Sequence, residues 1–279
     1  MKKIGVVGAG TMGQGIATSF ASNGYEVVVC DVKLEWAQGG IDKIASKLDK
    51  LVSREKMTGE AADSVKRNLK AGEYKDLADA DFVVEAVLEV MDVKKSLFSQ
   101  LDDICKAETI FGTNTSSLSV TEIAKGIQHP VIGMHFFNPA DRMKLVEIIS
   151  GLSTPADVKE KIVKLSESLG KTPVEVQEAP GFVVNRILIP MINEAAFILQ
   201  EGVASAQDID TAMKLGANHP MGPLALGDLV GLDIVEAIMD VLYNETGDSK
   251  YRCCTLIRKM VRGGMLGQKS GKGFYDYSK

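Results

Sequence analysis

The sequence predicts an α/β protein: a doubly wound, mostly parallel sheet over residues 1–181, followed by an all-helical C-terminal domain over residues 182–279. Three observations predict it. Short apolar runs alternate with helical patterns from Ile4 to Gln177, the order of repeated βαβ units. The first run opens directly into a glycine turn, Gly8-Ala9-Gly10-Thr11-Met12-Gly13, with a helical pattern behind it. After Glu178-Ala-Pro-Gly181 the strand pattern stops and only helical segments follow.

Taken in order, Ile4–Val7 is a short buried strand, Thr11–Asn23 a helix closed by Gly24, and Glu26–Cys30 a second strand ending at Asp31. Gly8 permits the tight turn, Gly10 lets backbone approach a pyrophosphate, and Gly13 lets helix and strand pack closely. The helix N-terminus offers N–H donors and a positive dipole end to the phosphates. A glycine turn alone is a weak signal. Strand, turn, helix and strand with an acid at the end together make the dinucleotide fingerprint of a Rossmann-type domain. Asp31 suits a ribose diol and would repel a 2′-phosphate, which favours NAD. Lys33 softens that preference and leaves NADP open.

Leu34–Leu69 is long, charged and helical in pattern, with an apolar stripe of Ile41, Ile44, Leu48 and Leu51. Lys43, Lys47, Lys50, Arg54 and Lys56 give it a basic face, suited to a phosphorylated ligand or simply to a solvated helical pair. Asp81–Leu88 is the next strand, with acids Glu85 and Glu89 at its end; a helix follows over Asp92–Cys105 and a strand over Thr109–Thr113. In a doubly wound sheet ligands bind outside the carboxyl ends of the strands, so Glu89 and Asn114-Thr-Ser-Ser117 are site candidates. Ser117 or Ser119 also suits the cap of a helix at Val120–Lys125.

Val131–Phe137 and Leu145–Ile149 flank a polar turn containing Asn138, Pro139, Asp141 and Arg142. A hairpin centred near Asp141 opposes His135 and Glu147, whose Cβ atoms would then lie ~5 Å apart. A carboxylate there fixes one imidazole tautomer and raises the basicity of the other nitrogen, as a general base requires. The plainer reading is a core hairpin with one satisfied histidine. Asp141 and Arg142 read as a surface pair, and His129 and His219, with no acid partner evident in the sequence, as structural or surface residues. A helix at Pro155–Leu169 and a strand at Pro173–Gln177 complete the sheet; Val184–Gln200, Asp208–Leu215, Asp228–Leu242 and Leu256–Val261 are helices, the first kinked at or starting from Pro190.

Composition bounds the function. A net charge of −5 argues against a nucleic-acid partner, and no run approaches the ~20 apolar residues of a membrane span. Cys30, Cys105, Cys253 and Cys254 lack metal-ligand spacing and read as reduced thiols of a cytoplasmic protein without a signal peptide. The apolar C-terminal helices are expected to pair with a second copy as a homodimer or higher oligomer.

Several blocks together resemble the short-chain 3-hydroxyacyl-CoA dehydrogenases, over essentially the whole chain: Gly8–Ala17, Asn114-Thr-Ser-Ser117, His135-Phe-Phe-Asn-Pro139, Met143–Glu147, Pro180–Arg186 and Gly271–Tyr275. The likeness is greatest to the 3-hydroxybutyryl-CoA dehydrogenases of butyrate-forming bacteria. The resemblance implies NAD-dependent interconversion of acetoacetyl-CoA and (S)-3-hydroxybutyryl-CoA. It makes His135 the acid/base, Glu147 its orienting partner, and Ser116 and Asn185 hydrogen-bond donors to the substrate. Asp31, Glu89, Lys94, Ser116, Asn138 and Lys269 match positions that touch NAD; Lys47 and Arg54 fall roughly where the family holds CoA. Two other readings stand beside it. A β-hydroxyacid dehydrogenase of the same two-domain plan would need a carboxylate clamp, for which Arg142 and Arg186 are available. A non-catalytic NAD-binding protein would not need the His135/Glu147 pair.

Overall fold

Eight strands form one sheet in the computed structural model, which describes residues 1–278. The elements run β1 (Lys3–Val7), α1 (Thr11–Ser22), β2 (Glu26–Cys30), α2 (Leu34–Ser53), α3 (Gly59–Arg67), β3 (Leu69–Gly72), β4 (Phe82–Glu85), α4 (Met91–Asp102), β5 (Ile110–Thr113), α5 (Val120–Ile123), β6 (Val131–Phe136), β7 (Leu145–Ser150), α6 (Ala156–Ser168) and β8 (Thr172–Gln177). Their spatial order is β3-β2-β1-β4-β5-β6-β7-β8. The first six are mutually parallel; β7 turns back against β6, and β8 runs parallel to β7. This is the doubly wound 3-2-1-4-5-6 order with a two-strand extension, and its switch point lies between β1 and β4. Ile4, Val6, Phe82, Val84 and Ile132 from the strands and Ile16, Phe20, Ile44 and Leu48 from the helices form the core.

Two features of the chain between β2 and β4 have local causes. The stretch Leu34–Leu69 is two helices, because Glu55 turns to positive φ (56°) after α2 and the Thr58 hydroxyl caps α3 at the Ala61 N–H. Leu69 then begins β3, a four-residue edge strand paired only with β2.

The remainder, from Pro180, is a separate unit. It holds α7 (Val184–Gln200), α8 (Ala206–Gly216), α9 (Pro223–Val230), α10 (Leu232–Thr246) and α11 (Thr255–Arg262) around Ile189, Ile192, Leu224, Leu232, Met239 and Leu242. Helix α7 neither starts nor breaks at Pro190. The single helix expected over Asp228–Leu242 is broken at Gly231, whose φ of 103° no helix admits. Asp228, 1% exposed, accepts the Phe274 and Tyr275 N–H groups, both at 2.9 Å, and the Tyr277 hydroxyl. A Cβ at Gly273 would fall 1.9 Å from that carboxylate, so the Gly271–Tyr275 block is the strap that Asp228 holds. Among the described residues, no helix is long and apolar enough to cross a membrane.

Candidate active site

The glycine turn sits at the switch point, at the carboxyl end of β1. Gly8 has φ of 104°, and a Cβ there would strike the Ala86 carbonyl at 2.5 Å. A Cβ at Gly13 would fall 1.7 Å from the Gly8 carbonyl oxygen, so helix and turn touch backbone to backbone. Gly10, by contrast, faces open space. Helix α1 has no side-chain cap and no acid in its first turn, which leaves its leading N–H groups for an anion. Asp31 Oδ2 accepts the Ala9 N–H and Oδ1 the Val32 N–H, each at 2.7 Å. These bonds fix the carboxylate beside the turn, and its oxygens retain lone pairs for two hydroxyls. A cavity of about 980 Å³ runs from Gly8–Met12 past Asp31 and Trp36 to Ala86–Leu88.

At the next strand ends lies an ionic chain, buried at Glu85 and Lys94 and reaching the surface at Glu89. Glu85, at the end of β4, accepts the Val87 N–H (2.7 Å), the Thr113 hydroxyl (2.7 Å) and Lys94 Nζ (2.6 Å). Lys94 Nζ also lies 3.1 Å from Glu89. Oε1 of Glu89 in turn accepts the Thr115 hydroxyl (2.7 Å) and the Ser116 N–H (2.7 Å), with the Ser116 hydroxyl and the Ser117 N–H at 3.2 Å. Burial outweighs the ammonium and the donors at Glu85 and pushes its carboxyl up. At Glu89 burial is opposed and outweighed by the Lys94 charge and the Thr115 and Ser116 donors, and the carboxyl is held below its ordinary range. The sequence reading picked out Glu89, Lys94 and Ser116 and named Glu85 only as an acid at a strand end.

Across the β6–β7 hairpin the register places His135 opposite Glu147. Nδ1 of His135 lies 2.8 Å from Oε2 of Glu147, with 6% and 1% of the two residues exposed. The Phe137 ring lies 4.5 Å from the imidazole, centroid to centroid. Asn114 Oδ1 accepts the Phe136 N–H, tying the loop after β5 to the hairpin. The turn from Asn138 to Met143 is pinned on three sides. Ala140 packs on Gly15 of α1, where a Cβ would come within 3.0 Å. Lys171 Nζ, buried at the start of β8, donates to the carbonyls of Ala140 (2.6 Å) and Met143 (2.8 Å). Asp141 pairs with Lys47 of α2 at 2.8 Å. The expected Asp141–Arg142 pair is therefore corrected: Asp141 reaches across to a helix, because the hairpin turn lies over α2. Lys47 is thereby engaged, while Lys50, Arg54 and Lys56 stay exposed.

His129 is also corrected. It has an acid partner, Asp102, at 2.5 Å, and its ring stacks on Phe111, which makes it a buried structural residue. Asn185 stands in the first turn of α7, and Lys269 pairs with Asp233 at the start of α10. All four cysteines are free, and burial pushes the Cys30 thiol up to about 12. Among the described residues no group of three or more His, Cys, Asp or Glu side chains is arranged to hold a metal.

Fold and site define a dinucleotide-dependent dehydrogenase with a histidine–carboxylate pair. Residues 3–179 match the family described as 3-hydroxyacyl-CoA dehydrogenase, NAD binding domain, and residues 181–277 match its C-terminal domain. A 3-hydroxybutyryl-CoA dehydrogenase of Clostridioides difficile is 54% identical, covering 99% of this chain and 100% of its own. The mitochondrial hydroxyacyl-coenzyme A dehydrogenase of Homo sapiens is 38% identical over 99% of this chain and 91% of its own. The crystal structure of (S)-3-hydroxybutyryl-CoA dehydrogenase from Ralstonia eutropha superposes with a TM-score of 0.95 at 47% identity, covering both chains fully. The chain belongs to the 3-hydroxyacyl-CoA dehydrogenase family and is an NAD-dependent oxidoreductase. Its own geometry fits that cofactor: the open face at Gly10, the uncapped α1 and the fixed Asp31 carboxylate offer what a pyrophosphate and a ribose diol require.

Proposed function

We propose that the protein interconverts acetoacetyl-CoA and (S)-3-hydroxybutyryl-CoA, with His135 as the general acid/base. The observation that carries this reading is the buried His135–Glu147 pair at 2.8 Å. A carboxylate can only accept, so Nδ1 carries the proton and Nε2 is the nitrogen that can take one up. In the oxidation Nε2 takes the proton of the 3-hydroxyl while hydride leaves C3, and the imidazolium formed is stabilised by Glu147. In the reduction the same proton returns to the carbonyl oxygen. NAD(H), when bound, supplies the hydride acceptor or donor. Ser116 and Asn185 are assigned to the substrate oxygens, and Asp31, Glu89, Lys94, Asn138 and Lys269 to the cofactor's surroundings. The short acyl chain is supported by the names of the relatives, several of which are 3-hydroxybutyryl-CoA dehydrogenases.

The test is the initial rate with acetoacetyl-CoA, with NADH and NADPH compared. Rapid oxidation of NADH, with NADPH markedly slower, is expected from Asp31. No turnover with the thioester but turnover with free 3-hydroxybutyrate would replace this reading with a free-acid dehydrogenase.

A further inference from the structure

The buried carboxylate that the mechanism leaves unused is Glu85. Glu85 and Lys94 are 0% and 1% exposed. Such a pair is a poor device for stability alone, since well-packed apolar residues of similar volume usually serve as well or better. Its connections say what else it does. Glu85 is fixed from the sheet itself, by the Val87 N–H and by the Thr113 hydroxyl at the end of β5. It holds the Lys94 amine, which lies against the second acid, Glu89. Glu89 gathers the Thr115 hydroxyl and the N–H groups of Ser116 and Ser117. The Lys94 ammonium, on a flexible four-carbon stem, is thus held between the two carboxylates.

We propose that Glu85, fixed by Thr113, is a positioning residue that sets the place of Ser116 by acting through Lys94 and Glu89. The inference rests on the assignment of Ser116 to the substrate oxygens made above. Glu85 is anchored at the ends of β4 and β5, and the series of bonds continues from there into the loop following β5. A side chain that orients substrate loses ~10²-fold in rate when displaced by about 1 Å. Loss of the series is therefore expected to lower kcat without any reacting group being removed.

The experiment is steady-state kinetics and thermal melting of the full-length protein carrying Glu85→Gln, Glu85→Gln with Lys94→Met, Thr113→Val, Thr113→Ser and Ser116→Ala. Glu85→Gln removes one of the two carboxylates that hold the buried Lys94 cation and is expected to lower both Tm and kcat. The double variant removes that cation. It is expected to regain Tm while kcat stays down by ~10²-fold. Thr113→Val should lower kcat, and Thr113→Ser, which keeps the hydroxyl, should restore it. A double variant that regains kcat together with Tm would make the pair mere core filling and overturn the proposal. If that variant does not fold, equal kcat for Thr113→Val, Thr113→Ser and the parent overturns it instead. Ser116→Ala separates the two layers. Loss of turnover there alongside normal double-variant turnover removes only the role of Glu85. Normal turnover of Ser116→Ala removes the assignment of Ser116 and the role of Glu85 with it.

Discussion

His135 is 6% exposed, and its Nδ1 is hydrogen-bonded to a carboxylate that is itself buried. A general base typically contributes ~10²–10⁴-fold in rate. His135→Gln keeps the volume but cannot carry the proton, so kcat is expected to fall by that order with little change in NADH affinity. Glu147→Gln should cost a similar or smaller factor; stopped-flow turnover and NADH titration of both variants decide it. A second prediction concerns Asp81, between β1 and the start of β4. It accepts Lys106 Nζ at 2.7 Å and the Lys2 N–H at 2.6 Å. The Lys106 bond, followed by that N–H, lowers its carboxyl to about 2. An unfolded aspartate titrates near ~3.9. The folded pKa is the lower one, so the stabilisation is present above that value and is lost as pH falls through about 2. Asp81→Asn should melt below the parent at pH 7, and the gap should close between about pH 4 and pH 2; a gap independent of pH would show that the charge is irrelevant.

The hairpin turn is the element on which the site hangs, and Lys171 is its brace. Burial lowers the amine's pKa, opposed by the Asp141 charge, and the amine donates to two carbonyls of the turn. Lys171→Met relieves the buried charge but leaves those carbonyls without their donor, at ~1–3 kcal/mol for each unsatisfied group. A net loss of ~1–3 kcal/mol is expected, read as a drop in Tm of several degrees. Turnover should fall as well, since the turn carries Asn138. A Tm at or above the parent's would show that the carbonyls find other partners. The opposition of His135 and Glu147 was legible in the sequence because a hairpin is local: turn length and alternation set the register. Glu85, Thr113 and Lys171 were not legible as partners. Their bonds join residues 28 to 31 positions apart, and only the parallel crossings bring these together. Strand β3 escaped for a different reason. Its four residues, Leu-Lys-Ala-Gly, carry one large apolar side chain and directly follow a helix. The break at Gly231 was missed because the residues on both sides of it are apolar and helical in pattern.

At the scale of the molecule the governing quantity is the field. The chain carries a net charge of −5, which by itself disfavours the approach of an anionic thioester. The exposed cations at the end of α2 and just beyond, Lys50, Arg54 and Lys56, are the counterweight, with Lys47 already engaged by Asp141. If they guide CoA, their influence is that of exposed charges, falling off over the ~10 Å screening length at 0.1 M salt. Reversing all three to Glu should raise KM for acetoacetyl-CoA by roughly tenfold or more at low ionic strength, within the range known for steered association. Added salt should shrink that difference, and kcat should stay near the parent value, because no reacting group moves. KM for NADH is the internal control, since the glycine turn presents its own N–H groups to the pyrophosphate. An equal rise in both KM values would mean that only the overall charge matters. A salt-insensitive rise confined to acetoacetyl-CoA would mean desolvated contacts in place of steering, and no rise at all would place the CoA phosphates on another face of the protein.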